Sequence, residues 1–193
     1  MLSDPLYLFV FLGLFSPGPN VILLTASGAR FGFVRTLPHL LGVAAGVGVT
    51  AGITGLGVGS ILTAAPTLGL GLAVLSALWI LFMAWQLWNA TPGAPSDRDR
   101  PMSFVEAVLF QWVNPKVWAV AFAAVAAFPS DMSPWGEALR LGSAFSGINL
   151  GVCLFWTAFG HLVSRLLKAP LAWRIFNRSM AIALVAFSAL LFV

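Results

Sequence analysis

Two stretches of this chain combine helix breakers with polar side chains in otherwise apolar surroundings: Ser16-Pro17-Gly18-Pro19-Asn20 and Asn114-Pro115-Lys116. Proline lacks an amide donor and disrupts the helix around it. A membrane segment accepts it only where other groups satisfy the freed carbonyls. A helix can restart at Pro19, because its first turn loses nothing by a missing amide. The amides of Val21 and Ile22 then open a helix start inside the membrane. Such an end carries about half a positive charge and suits a carboxylate or another anion. Asn20 adds a neutral donor and acceptor for an amino or amide group. Lys116 brings a cation, unfavourable mid-membrane by at least ~2.5–3.5 kcal/mol unless paired, hydrated or snorkelling. Together these groups suit the binding of a zwitterion. The alternatives are a plain proline kink with Asn20 bonding stray carbonyls, and Lys116 as a structural cation against helix C-terminal carbonyls.

The expected substrate-binding set is Pro17, Gly18, Pro19, Asn20, Gln111, Asn114, Pro115, Lys116 and Asn149. Asn149 belongs to it because an amide in the middle of a span must face protein or water. Lys116 and Glu106 are the candidates for proton coupling. Glu106 has a second reading, as partner of an inner-loop arginine. His39 and His161 read as ordinary interfacial histidines, and Asp4 as a solvated acid. No HExxH, GxSxG, Walker or CxxC pattern is present, so neither catalysis nor ATP-driven pumping has a sequence basis. The single Cys153 excludes an internal disulfide and a cysteine-based metal cluster. No cofactor is expected.

The elements that must position these residues follow from composition. Hydrophobic residues make up 60% of the chain and charged ones only 8%, against roughly 25% in soluble domains. This predicts an all-α integral membrane protein with room for six spans of about 20 residues. They are placed at 3–25, 38–62, 68–90, 104–129, 137–164 and 172–193, with spans 1 and 4 broken. Most of the ten Lys and Arg residues fall in the odd loops: Arg30 and Arg35, then Arg98 and Arg100, then Arg165, Lys168, Arg174 and Arg178. The positive-inside rule makes those loops cytoplasmic and puts both termini outside. An odd number of spans per half predicts two inverted three-helix repeats, 1–90 and 104–193, joined by a cytoplasmic linker at 91–103. Each repeat then opens on a broken helix. Because the basic residues stand at span ends and not in one patch, the net charge of +4 reflects topology and not nucleic acid. Small-xxx-small spacings at Gly42/Gly46, Gly48/Gly52 and Gly147/Gly151 suit close helix packing or a homodimer. The absence of a basic n-region before Arg30 favours a retained first span over a cleaved signal peptide.

The pattern Ser16-Pro17-Gly18-Pro19-Asn20, with Gly32-Phe33 and Arg35-Thr36-Leu37-Pro38-His39, resembles the LysE/RhtB family of amino-acid exporters. Phe110-Gln111-Trp112-Val113-Asn114-Pro115-Lys116 and Phe159-Gly160-His161 with Arg165-Leu166 extend the likeness over nearly the whole chain. Within the family it looks most like the cysteine and O-acetylserine exporter branch. The resemblance implies a bacterial inner-membrane protein that exports amino acids or close derivatives, linked to the proton motive force. It also implies that Pro17 to Asn20 and Asn114 to Lys116 are central to the pathway. Departures are Ser76-Ala77-Leu78-Trp79 in the third span, Gln86 in place of a frequent lysine, and a second span without an acidic residue. A non-transporting membrane structural or assembly protein is the alternative from another class.

Overall fold

Proline and glycine punctuate the apolar runs and set the helix boundaries. The computed structural model describes residues 4–58, 66–90, 100–166 and 169–189, and every regular element among them is helical. Helix α1 (Pro5–Phe15) opens on Asp4, whose side chain accepts from the Leu6 amide at 2.9 Å. Helix α2 (Pro19–Phe31) follows after three residues, and the two axes meet at 60°. Helix α3 (Phe33–Ile53) runs into a π-helical turn at Thr54–Val58. Then come α4 (Pro66–Trp88), α5 (Phe104–Trp112), α6 (Pro115–Ala127), α7 (Pro134–Ser164) and α8 (Pro170–Ala189). Helices α5 and α6 also meet at 60°. Proline stands first in α1, α2, α4, α6, α7 and α8, where its fixed φ suits the helix and its missing N–H breaks no bond.

The α3 segment, Phe33–Gly57, and α7 are each long and apolar enough to cross a membrane. The bent pairs α1–α2 and α5–α6 each qualify if taken as one broken span, which makes up to four among the described residues. Both breaks therefore fall where the sequence put them.

The first loop differs from expectation. The first helix continues to Phe31 and the next begins at Phe33, so Gly32 alone joins them. Its φ of 84° lies in the left-handed region, which glycine enters at little cost. Pro38, expected to open the second span, sits inside α3 instead. It removes one helical bond, that to the carbonyl of Val34, a residue 74% exposed at the helix start. Arg174 and Arg178, expected in a loop, lie in the first turns of α8. Asp97, Arg98, Asp99 and Lys168, and with them most of the expected linker, lie outside the described residues.

Helices α3 and α7 form the centre, and glycine lets them approach. A Cβ on Gly48 would stand 2.7 Å from the Ser146 Cβ, and one on Gly55 3.0 Å from the Ala138 Cα. Helix α3 turns its other small residues to α5: a Cβ on Gly42 would lie 2.3 Å from the Phe104 carbonyl oxygen. The α2–α7 contact is reciprocal, with Gly28 against Thr157 and Gly160 against Thr25. The expected spacing at Gly147 and Gly151 makes no such contact, since both face open space. The main apolar cluster runs from Leu6, Val10 and Leu14 through Val43 and Val47 to Val117, Leu141 and Phe145. A second one, with Ile22, Ile80, Met83, Phe110 and Leu184, joins α4 and α8 to α2 and α5.

Candidate functional site

Helix α2 begins at Pro19 with Gly18 as its N-cap, and its first helical bond runs from the Ile22 amide to the Gly18 carbonyl at 3.0 Å. Helix α6 begins at Pro115 with Asn114 as its N-cap, whose side chain makes no capping bond. The fold brings these two starts together. Lys116 Nζ donates to the carbonyl oxygens of Ser16 and Pro17, the latter at 3.3 Å. Those carbonyls belong to the non-helical link of the first break, so the second break supplies a donor to the first. The reading of Lys116 as a cation held by carbonyls at the end of α1 therefore matches its contacts.

Gln111 links the two breaks from behind. It is fully buried, and its Oε1 accepts from Asn20 Nδ2 at 2.8 Å and Asn114 Nδ2 at 3.4 Å. Its own amide nitrogen donates to the Ala107 carbonyl at 2.9 Å. Gln111→Leu should strand the Asn20 donor and destabilise the fold by about 1–3 kcal/mol. Thermal unfolding in detergent measures this, and an unchanged midpoint would count against the link.

Gly18, Asn20, Asn114, Lys116 and Asn149 line one small cavity with Leu14, Val21 and Val117. Its volume is about 10 Å³, room for roughly one water. Asn20 Oδ1, Asn114 Oδ1 and Asn149 Nδ2 are buried without a hydrogen-bond partner. Two acceptors and one donor are thus left without partners on residues that line this cavity beside Lys116. Pro17 contributes its carbonyl, and Pro19 and Pro115 open the two helices. Of the expected set, Gly18, Asn20, Asn114, Lys116 and Asn149 line the cavity, Pro17, Pro19 and Pro115 shape the breaks, and Gln111 tethers them from behind.

Glu106 lies elsewhere. It forms a two-pronged ion pair with Arg100, both oxygens at 2.6 Å, and closes a capping box with Ser103. Its hydrogen bond raises the already high pKa of the Arg100 guanidinium. The pair borders a much larger cavity of about 690 Å³, whose wall includes Leu23, Ser27, Arg30, His39, Gln86 and Asn89. On α2, Asn20, Leu23 and Ser27 follow at i, i+3 and i+7 and share one helix face. One turn, about 5 Å, therefore separates the small site from the large cavity along this stripe.

His39, read as an ordinary interfacial histidine, is packed inside the protein and only 2% exposed. The cause is the extension of α3 back to Phe33, which carries position 39 nearly two turns into the helix. Its neighbour Pro38, read as a helix start, hid this.

A model of the LysE type translocator family matches residues 11–193. The chain belongs to that family. This LysE type translocator is a multi-pass protein of the bacterial inner membrane, and its family is one of transporters, not of enzymes. It is 30% identical over 154 residues, 78% of each chain, to a cysteine/O-acetylserine efflux protein of Klebsiella pneumoniae subsp. pneumoniae. It is 26% identical over 187 residues to the protein of the same description in Salmonella typhimurium, covering 95% of this chain and 92% of that one. No solved structure matches the translocator. The match favours transport over the structural-protein alternative, and it includes both breaks.

Proposed function

We propose that this translocator exports small amino acids or close derivatives from the cytoplasm by alternating access, driven by the proton motive force. The observation that carries the reading is the meeting of the two breaks around unpaired Asn20, Asn114 and Asn149 atoms beside Lys116. The two asparagine oxygens suit a substrate ammonium, and Asn149 Nδ2 and Lys116 suit its carboxylate. The relatives' names set the size class, that of cysteine and O-acetylserine.

A cavity of about 10 Å³ holds no amino acid, so the site has to widen for transport. In this proposal the positive-inside rule makes the Arg30 and Arg100 side cytoplasmic and both termini external, and the 690 Å³ cavity on that side supplies the approach. At the opposite end, Arg140 pairs with Glu137 at 2.7 Å and donates to the Phe128 carbonyl at 2.7 Å. This ties the start of α7 to the end of α6 and serves as the outer closure. In this proposal the halves 1–90 and 104–193, joined by 91–103, are inverted three-helix repeats within six spans. Equal bends of 60° and a 13-residue helix after each break support that symmetry. A homodimer would use the open Gly147/Gly151 face.

Of the two proton-coupling candidates, Lys116 is favoured because it lines the small cavity where the breaks meet, whereas Glu106 pairs with Arg100 and Ser103 at the edge of the large one. Glu106→Gln should leave gradient-driven transport within about fivefold, as expected for an exposed pair worth ~0–1 kcal/mol. Loss of the pH-gradient dependence with substrate exchange intact would move the coupling to Glu106. The function itself is tested in proteoliposomes loaded with O-acetyl-L-serine, L-cysteine and a panel of other amino acids, with and without an imposed pH gradient. Movement of the solute toward the acidic side of the membrane, against its own gradient, is the expected result. Flux at the level of empty liposomes for the whole panel would overturn the reading.

A further inference from the structure

We infer that His39 is a substrate-contacting residue in the large cavity, forming a first station where the zwitterion pauses before the narrow site at the breaks. This inference rests on the exporter reading above. The His39 ring is buried, lines the 690 Å³ space, and has no hydrogen-bond partner on either Nδ1 or Nε2. In either protonation state an imidazole has two hydrogen-bonding positions, and leaving both unmet in a buried setting is costly. A histidine serving only to pack α3 would be expected to bond at least one of them. The neighbouring polar side chains behave in that structural way. Ser27 and Thr36 share a bond of 3.2 Å, and Thr36 also donates to the Gly32 carbonyl at 2.8 Å. Among the described residues lining this space, His39 alone has buried polar atoms without a partner.

The surroundings define the ligand. Two arginines, Arg30 and Arg100, and one carboxylate, Glu106, border the space. These fixed charges of both signs suit a solute that is itself a zwitterion. Gln86 of α4 and Asn89 just past its end add neutral donors and acceptors. At about 690 Å³ the cavity falls within the ordinary range of small-molecule sites, roughly 300–1,000 Å³. The central site, with space for a single water, does not. A solute of amino-acid size therefore has a place to sit beside the His39 ring before the breaks open, and a turn of that ring brings its buried nitrogens to the solute. The α2 stripe Ser27, Leu23, Asn20 leads from this station to the central one, with Leu23 as the apolar step between them.

The chain has two histidines, His39 and His161, so ¹⁵N-histidine labelling in lipid nanodiscs gives a readable pair. His161→Asn assigns the spectrum by removing one set. Titration with O-acetyl-L-serine should shift the His39 ring resonances saturably and leave those of His161 in place. In proteoliposomes, His39→Leu should raise the KM for this probe about tenfold, the size of one lost hydrogen bond. His39→Gln, which keeps a donor and an acceptor, should recover most of that loss while the maximal rate changes little in either variant. Silent His39 resonances in a preparation that transports the probe, or an unchanged KM in a folded His39→Leu protein, would overturn the inference alone. Absence of flux in the parent protein would sink the exporter reading instead, and a saturable His39 shift would still uphold the site.

Discussion

Lys116→Ala is expected to lower the transport efficiency of proteoliposomes by about 10–100-fold, the scale of a lost hydrogen bond to a charged group. Two effects converge on this residue. Its ammonium bonds the Ser16 and Pro17 carbonyls, which have no helical partner because Pro17 and Pro19 interrupt the chain there. It also borders the cavity in which Asn20, Asn114 and Asn149 leave atoms unpaired. A substrate carboxylate would compete with those carbonyls for the same ammonium, and that competition couples occupancy to the geometry of the first break. The variant should also unfold at a lower temperature in detergent, since unsatisfied carbonyls in an apolar setting cost about 1–3 kcal/mol each. Lys116→Arg keeps the cation and should recover stability more fully than transport. Wild-type transport together with wild-type stability in Lys116→Ala would remove both roles.

The second large effect belongs to the α2–α7 contact. Gly160→Ala would place a Cβ 2.1 Å from the Thr25 carbonyl oxygen, a backbone atom that cannot rotate away. Overpacking of this kind costs about 1–3 kcal/mol or more. The melting midpoint should fall by about 2–10 °C for a chain of this size. Gly151→Ala is the control, because it lies on the same helix with nothing within 4 Å of its added Cβ. It should leave the midpoint unchanged or raise it slightly, as alanine is the better helix former. Equal midpoints for the two variants would mean that α2 and α7 do not touch as described.

Much of this was legible in the residues themselves. Pro17, Pro19 and Pro115 fixed where the helices break, because a missing amide and a locked φ act on the local backbone whatever surrounds it. Asn20, Asn114 and Asn149 were legible as site candidates for a related reason: a polar amide in an apolar run requires a partner. The glycines were less readable. Gly28 meets Thr157 and Gly160 meets Thr25, contacts far apart in sequence that depend on how α2 crosses α7. Gly147 and Gly151 have the spacing of a packing motif and pack against nothing within the chain. Spacing gives a helix face but not what that face meets.

The sequence alone determined that the chain is helical and membrane-embedded, where its two spans break, and which polar groups stand at the breaks. These follow from composition, proline chemistry and the energetics of polar atoms in lipid, all of which act locally. Only the tertiary structure decided that Lys116 satisfies the carbonyls of the opposite break and that Gln111 joins Asn20 to Asn114. It also decided that His39 is buried beside a large cavity. Each of these is a contact between helices remote in sequence, set by the crossing of α2, α3, α5 and α6 and not by the identity of any one residue.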